Sequence, residues 1–273
     1  MLALFKFLSI QIVLLVVVTS VHTYLGLHVI RRGIVFSDLA LDQLAAFGMI
    51  VGLAIGIQAC SPLGYIISFI AVLLGSFLLA YVKPKNPNVP HEAVIGIIYC
   101  LALVASVMVA DKFSGGAAYI SQTLAGTMLW VNWTLVGVTT VAYALLSLFH
   151  YKFRHKFIKM TEEGPGSVAN ENRWDLYFFI SLGIITVLIV PIAGVLLAYG
   201  FLMIPAAIAT LFTKNWGKAL KLGWAVGIGA SLSGLFASYF LNLPYGPTLV
   251  LALGAAFLAA LAIRMIKTSP AGN

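Results

Sequence analysis

Residues Ile34 to Ile57 read IVFSDLALDQLAAFGMIVGLAIGI, an apolar run long enough to cross a bilayer as a helix. Two acids, Asp38 and Asp42, lie within it, with Gln43 beside the second, and Arg31 and Arg32 stand just outside its start. At about 1.5 Å rise per residue, Asp42 lies about 12 Å along the axis from Ile34. The acids are four residues apart, so both carboxylates share one helix face. A carboxylate in hydrocarbon costs about 2.5 kcal/mol or more at the bilayer centre, and such groups usually face a protein interior or a water-filled path. The run therefore predicts a helix lining a substrate route, with Asp38, Asp42 and Gln43 as its polar positions. Asp38 has an alternative, a salt bridge to Arg31, Arg32 or a neighbouring lysine. Asp42 and Gln43 have another, buried hydrogen bonding to a neighbouring helix. Gly48, Gly52 and Gly56 recur every four residues and predict a flat face against a close-packed helix.

The rest of the chain agrees with a membrane setting. Of its 273 residues, 62% are hydrophobic and 9% charged, where water-soluble domains carry about 25% charged residues. The expected fold is all-α, a polytopic transmembrane bundle of about 8–9 crossing helices forming one integral domain over residues 1–273. The net charge of +8 does not point to nucleic acid, because the basic residues fall mostly in short loops between apolar runs, where they set orientation. Cys60 and Cys100 are too few for a disulfide framework, and no bridge between them is expected. The apolar run from Leu8 to Leu27 is too long for a signal peptide and has no clear small-residue cleavage site, so it is read as a spanning helix.

Taken in order, the predicted spans are about 5–30, 34–57, 63–82, 93–110, 129–149, 176–193, 195–212, 219–241 and 248–266. Between the fourth and fifth, residues 113–128 contain Gly115-Gly116 and predict an outer loop with a short interfacial helix. The uncharged run from Leu176 to Phe212 would be about 55 Å long as one helix, so it is divided near Pro191 and Gly194. Gly223, Gly227, Gly229, Ser231, Ser233 and Gly234 mark a tightly packed eighth helix. With this division the positive charges agree with every crossing: N-terminus outside, C-terminus cytoplasmic. His22 and His28 are read as packed or interfacial polar residues. His150 and His155 are assigned to the basic flank HYKFRHKFIKM, residues 150–160, which could also touch anionic lipid.

Several chemistries are missing. The chain has no G-x-x-x-x-G-K-[ST] phosphate loop, no H-E-x-x-H, no Cys-x-x-Cys and no G-x-S-x-G. Transport is favoured over catalysis, and no cofactor is expected in the chain itself.

Several stretches carry a resemblance. GVLLAYGFLMIPAAIATLF (Gly194–Phe212) is followed by GIGASLSGLFASYFLNLPYGPTLVLALGAAF (Gly227–Phe257). HVIRRGIVFSDLALDQLAAFG (His28–Gly48), EAVIGIIY (Glu92–Tyr99) and AYISQTLAGTML (Ala118–Leu129) precede them. In this order they resemble the membrane subunit of zinc/manganese/iron-type ABC transporter permeases. The resemblance implies a type II ABC importer-like permease of a prokaryotic cytoplasmic (inner) membrane. It implies pairing with a second copy or a paralogue and docking of two ATP-binding cassette subunits, which bind the ATP. It also implies delivery of a divalent ion by an extracytoplasmic substrate-binding protein. The docking segment would be about residues 151–175, with Arg154, Lys156, Lys159, Glu162 and Glu163 as candidates.

The resemblance also singles out Asp38 and Asp42 as metal candidates. The family carries an Asp and, four residues later, a His. Matching Asp38 to that Asp puts Asp42 in the place of the His; matching by the following glycine instead puts Leu39 and Gln43 at the two positions. Either register lacks the imidazole, and oxygen-only donors suit harder cations than zinc. Two other readings stand beside the metal importer: a permease for a metal chelate or other small solute, and a proton-coupled secondary carrier.

Overall fold

The computed structural model describes residues 2–59, 61–84, 88–126 and 131–268. Among these it contains eleven α-helices and no strand: α1 (Leu2–Arg32), α2 (Phe36–Ala54), α3 (Pro62–Tyr81), α4 (His91–Ala110), α5 (Gly116–Ala125), α6 (Trp133–Lys152), α7 (Arg154–Glu162), α8 (Glu171–Ala193), α9 (Val195–Phe212), α10 (Trp216–Leu241) and α11 (Tyr245–Thr268). Nine of them are long and apolar enough to cross a membrane; α5 and α7 are the short ones. The short helix expected in the outer loop is α5. The expected start of the fifth span near Leu129 lies outside the described residues, as do Cys60 and Lys85. Cys100 is exposed on α4.

Local chemistry sets the helix ends. Ser61 accepts the Gly64 N–H at 3.2 Å and is followed by Pro62, which has no N–H to satisfy, so α3 starts there. Asn132 caps α6 through the Leu135 N–H at 2.9 Å, and Asn215 caps α10 through the Lys218 N–H at 3.0 Å. The long uncharged run divides at Gly194 (φ 78°), while α8 continues through Pro191. Gly194 and Gly126 press backbone to backbone here, leaving no room for a Cβ at either position.

Burial sorts the spans into centre and rim. About two thirds of α2 and α8 is buried (67% each), against 22% of α4 and α6 and 17% of α11. α2 is enclosed by α3, α4, α8 and α9, while α1 packs on α9, α10, α6 and α7. The glycine face of α2 meets α3 as expected at Gly48 and Gly52; a Cβ on Gly48 would come within 2.6 Å of the Ser68 Cα. Gly56 is a correction: it stands beyond the helix at φ 85°, in open space, where it makes a turn. On α10, Gly223 and Gly227 touch α1 and Pro205 of α9, and Gly234 touches Leu249 of α11. Gly229 meets nothing within 4 Å and Ser233 is exposed, so the small-residue pattern overstates the contact.

Candidate functional site

α2 begins without help from its own cap, since Val35 offers no side-chain acceptor. Glu92 of α4 supplies one, its Oε1 accepting the Phe36 N–H at 2.8 Å. A carboxylate is well placed there, against the positive end of a helix. This contact sets the α2 start against α4; Asp38 lies in that first turn and Asp42 one turn deeper.

Asp38, Asp42 and Gln43 are all buried, at 2%, 1% and 3% exposure. All three are therefore enclosed by the chain's own helices. Gln43 donates to Ser106 Oγ of α4 at 3.3 Å, which is the neighbour-helix hydrogen bond given above as its alternative, and its own Oε1 has no partner. Asp38 Oδ2 and both oxygens of Asp42 also have no hydrogen-bond partner. The Thr186 hydroxyl of α8 lies close enough to interact with Asp42 but makes no bond of normal geometry with it. Tyr143 of α6 and Tyr199 of α9 are within electrostatic reach of both acids, and the Tyr143 hydroxyl donates to the Ile185 carbonyl at 3.3 Å. These side chains thus form a buried group of oxygens from several helices. Leaving such acceptors unpaired in an apolar interior is costly. Among the described residues no group of three or more His, Cys, Asp or Glu is arranged to hold a metal ion.

Among the described residues, the salt bridge offered as an alternative for Asp38 is not formed. Arg32 instead pairs with Asp175 of α8, which Lys83 also meets. Lys83 reaches Glu171 Oε1 at 3.5 Å and Asn172 Oδ1 at 3.3 Å as well. Asp175 is 1% exposed. The sequence reading placed it at the end of the polar docking segment; α8 starts at Glu171 and draws it inside. A signal was available: Asp175 immediately precedes the uncharged run, where an acid needs a partner. These ions border a cavity of about 550 Å³, with Ile34, His91, Glu92 and Glu162 on its wall. Asp38 and Asp42 do not line it, but Asp38 follows Ile34 by four residues, about 6 Å at helical rise.

The five docking candidates fall on or just after α7, and all are exposed. The Arg154 guanidinium lies over the Tyr151 ring at 4.7 Å and Lys156 over Trp174 at 4.2 Å. Lys159 and Glu163 form an i,i+4 pair at 3.7 Å. Glu162 accepts from Trp216 Nε1 of α10. His22 and His28 are buried, as packed residues should be. His150 is a correction: assigned to the basic flank, it is buried (3% exposed) and stacks on Phe157 at 4.3 Å.

Known proteins share this chain's sequence pattern and fold. ScaB of Streptococcus gordonii, a manganese import system permease protein, is 25% identical over 259 residues, covering 93% of this chain and 90% of that protein. MntC of Listeria monocytogenes, a manganese transport system membrane protein, is 25% identical over 252 residues, covering 90% and 87%. A chain of PsaBC from Streptococcus pneumoniae, solved in complex with a Fab, has the same fold: TM-score 0.74 at 22% identity, covering 96% of this chain and 95% of that one. A sequence profile of the ABC 3 transport family matches residues 4–264, and this multi-pass membrane chain belongs to that family.

Proposed function

We propose that this chain is the membrane-spanning permease subunit of an ABC importer for a divalent metal ion. The carrying observation is the buried carboxylate pair Asp38 and Asp42 inside the bundle, with three of its oxygens unpartnered. Two carboxylates with a threonine hydroxyl beside them match the oxygen ligands of hard divalent cations, manganese before zinc. A cation arriving between the acids offsets their burial cost, and the incomplete donor set lets it leave again. Family membership leaves the stand-alone proton-driven carrier without support.

The chain has no phosphate loop, so ATP is hydrolysed on partner subunits. Two copies, or this chain and a paralogue, pair and rock as the cassettes close, and the pocket opens alternately to each side. Apart from Lys6 and Lys112, every described lysine and arginine belongs to a segment at the end of the bundle where α1 finishes. That end is cytoplasmic by the positive-inside rule, the C-terminus with it and the N-terminus outside. The exposed face of α7, with Arg154, Lys156, Lys159 and Glu163, receives the cassette subunit. An extracytoplasmic binding protein delivers metal at the opposite end.

The test is purification of the complex from its host membrane, with identification of copurifying subunits and elemental analysis of bound metal, alongside uptake by cells carrying Asp42→Ala. Copurified ATP-binding subunits and a fall in manganese uptake are expected. Unchanged uptake and unchanged metal preference in Asp42→Ala would remove this residue from the mechanism.

A further inference from the structure

α7 is held to the membrane helices by a buried polar joint. Its inner face carries Phe157, Met160 and Thr161, while Arg154, His155, Lys156 and Lys159 face out. Thr161 Oγ1 lies 2.7 Å from Nδ1 of His28, a residue of α1 with no exposed surface. The Thr161 hydroxyl donates to the Phe157 carbonyl at 2.8 Å, so its oxygen accepts from His28, which carries its proton on Nδ1. One residue on, Glu162 is held by Trp216 of α10. The Trp216 ring lies 4.6 Å from the His28 ring and 4.2 Å beneath the Arg31 guanidinium. Arg31 also donates to the Lys214 carbonyl at 3.0 Å. The last turn of α7, the last turns of α1 and the first turn of α10 thus meet at one point.

The other contacts around Phe157 are aromatic: His150 at 4.3 Å, Trp174 at 5.7 Å and Phe178 at 6.3 Å between ring centroids. Ring contacts are adaptable, and a packed aromatic surface lets one helix roll on another. A buried, directed hydrogen bond does not, because shifting it leaves the His28 N–H unpaired in a dry interior. His28 therefore fixes the rotation and register of α7 on α1. From there, only residues 33–35 separate α1 from α2, whose first turns carry Asp38 and Asp42.

We propose that the His28–Thr161 bond makes α7 and α1 move as one body, so that a push on α7 reaches the acid pair on α2. Both are positioning residues; neither touches cargo or nucleotide. This rests on the reading that α7 receives the cassette subunit.

The test uses the whole complex in proteoliposomes, with ATP hydrolysis and manganese transport measured together. Thr161→Val removes the hydroxyl and keeps the shape; Thr161→Ser keeps the hydroxyl. Thr161→Val is expected to hydrolyse ATP at the parent rate but to move at least fivefold less manganese per ATP, with Thr161→Ser within twofold of the parent. An unchanged ratio in Thr161→Val, including an equal loss of both activities, overturns the proposal. A second arm combines His28→Cys with Thr161→Cys in a chain carrying Cys60→Ser and Cys100→Ser, and bridges the pair in the membrane with a short bifunctional thiol reagent. Bridging should restore the manganese-to-ATP ratio. If bridging stops transport instead, α7 must slide on α1 and the proposal is wrong; this arm decides even if Thr161→Val fails to assemble. If no ATP-binding subunit copurifies with the parent, it is the docking reading that fails.

Discussion

Asp42 sits one helical turn beyond Asp38 with neither of its oxygens hydrogen-bonded; under the proposed function, an entering ion meets oxygen donors there. Asp42→His places an imidazole there. Since imidazole suits zinc better than carboxylate does, the preference for manganese over zinc should fall by roughly tenfold, read by competition uptake with both metals. Asp38→Asn should lower transport of either metal without that change in preference. Asp175 answers to a different physics, because its two oxygens are satisfied by Arg32 and Lys83. Asp175→Asn leaves two cations around a neutral amide and should cost about 3 kcal/mol, read as a lowered Tm of the detergent-solubilised chain. Its effect on stability should exceed that of Asp42→Asn, which removes a charge that has no cationic partner in this structure.

At the scale of the element, α2 is positioned at its start and at its middle. Glu92 of α4 receives its first N–H, and Gly48 lets α3 approach until its Ser68 Oγ donates to the Ala45 carbonyl at 3.0 Å. Gly48→Leu would drive a side chain into the α3 backbone and should cost about 1–3 kcal/mol, read by the same thermal measurement. Gly229→Leu on α10 is the control: it points into open space and should change Tm far less. α7 presents its charges outward, so reversing two of them with Lys156→Glu and Lys159→Glu should abolish copurification of ATP-binding subunits while the permease still reaches the membrane. Copurification at the parent level would move the docking surface elsewhere.

At the scale of the whole molecule, nine helices among the described residues are long and apolar enough to cross a membrane, and the proposed orientation puts the two ends of the chain on opposite sides of it. A single cysteine at Lys112, between α4 and α5, should be labelled by an impermeant thiol reagent added to intact cells. One at Lys218, in the first turn of α10, should be labelled only after the membrane is opened. The reverse pattern would invert the proposed direction of transport. The rim helices α4, α6 and α11 expose large apolar side chains such as Leu101, Leu145 and Leu251. In a membrane chain those faces meet lipid or a second copy, and they leave the central α2 and α8 to hold the polar interior.

Residues alone settled the all-helical membrane class, the order of the spans, a division near Pro191 and Gly194 and the concentration of positive charge at one end. These follow from hydropathy, helix breakers and charge, properties read along one dimension and matched to the thickness of a bilayer. The same reading put Asp38 and Asp42 on one face, because a helical period is a local property. Which neighbour that face meets is not local. Arg32 has Asp38 six residues away, yet pairs with Asp175, a residue 143 positions distant. His28 finds Thr161 at a separation of 133, and His150, placed by its basic surroundings in a solvated flank, is turned into the core. Only the packed bundle decides such pairings, because they depend on how each helix is rotated about its own axis against all of the others at once.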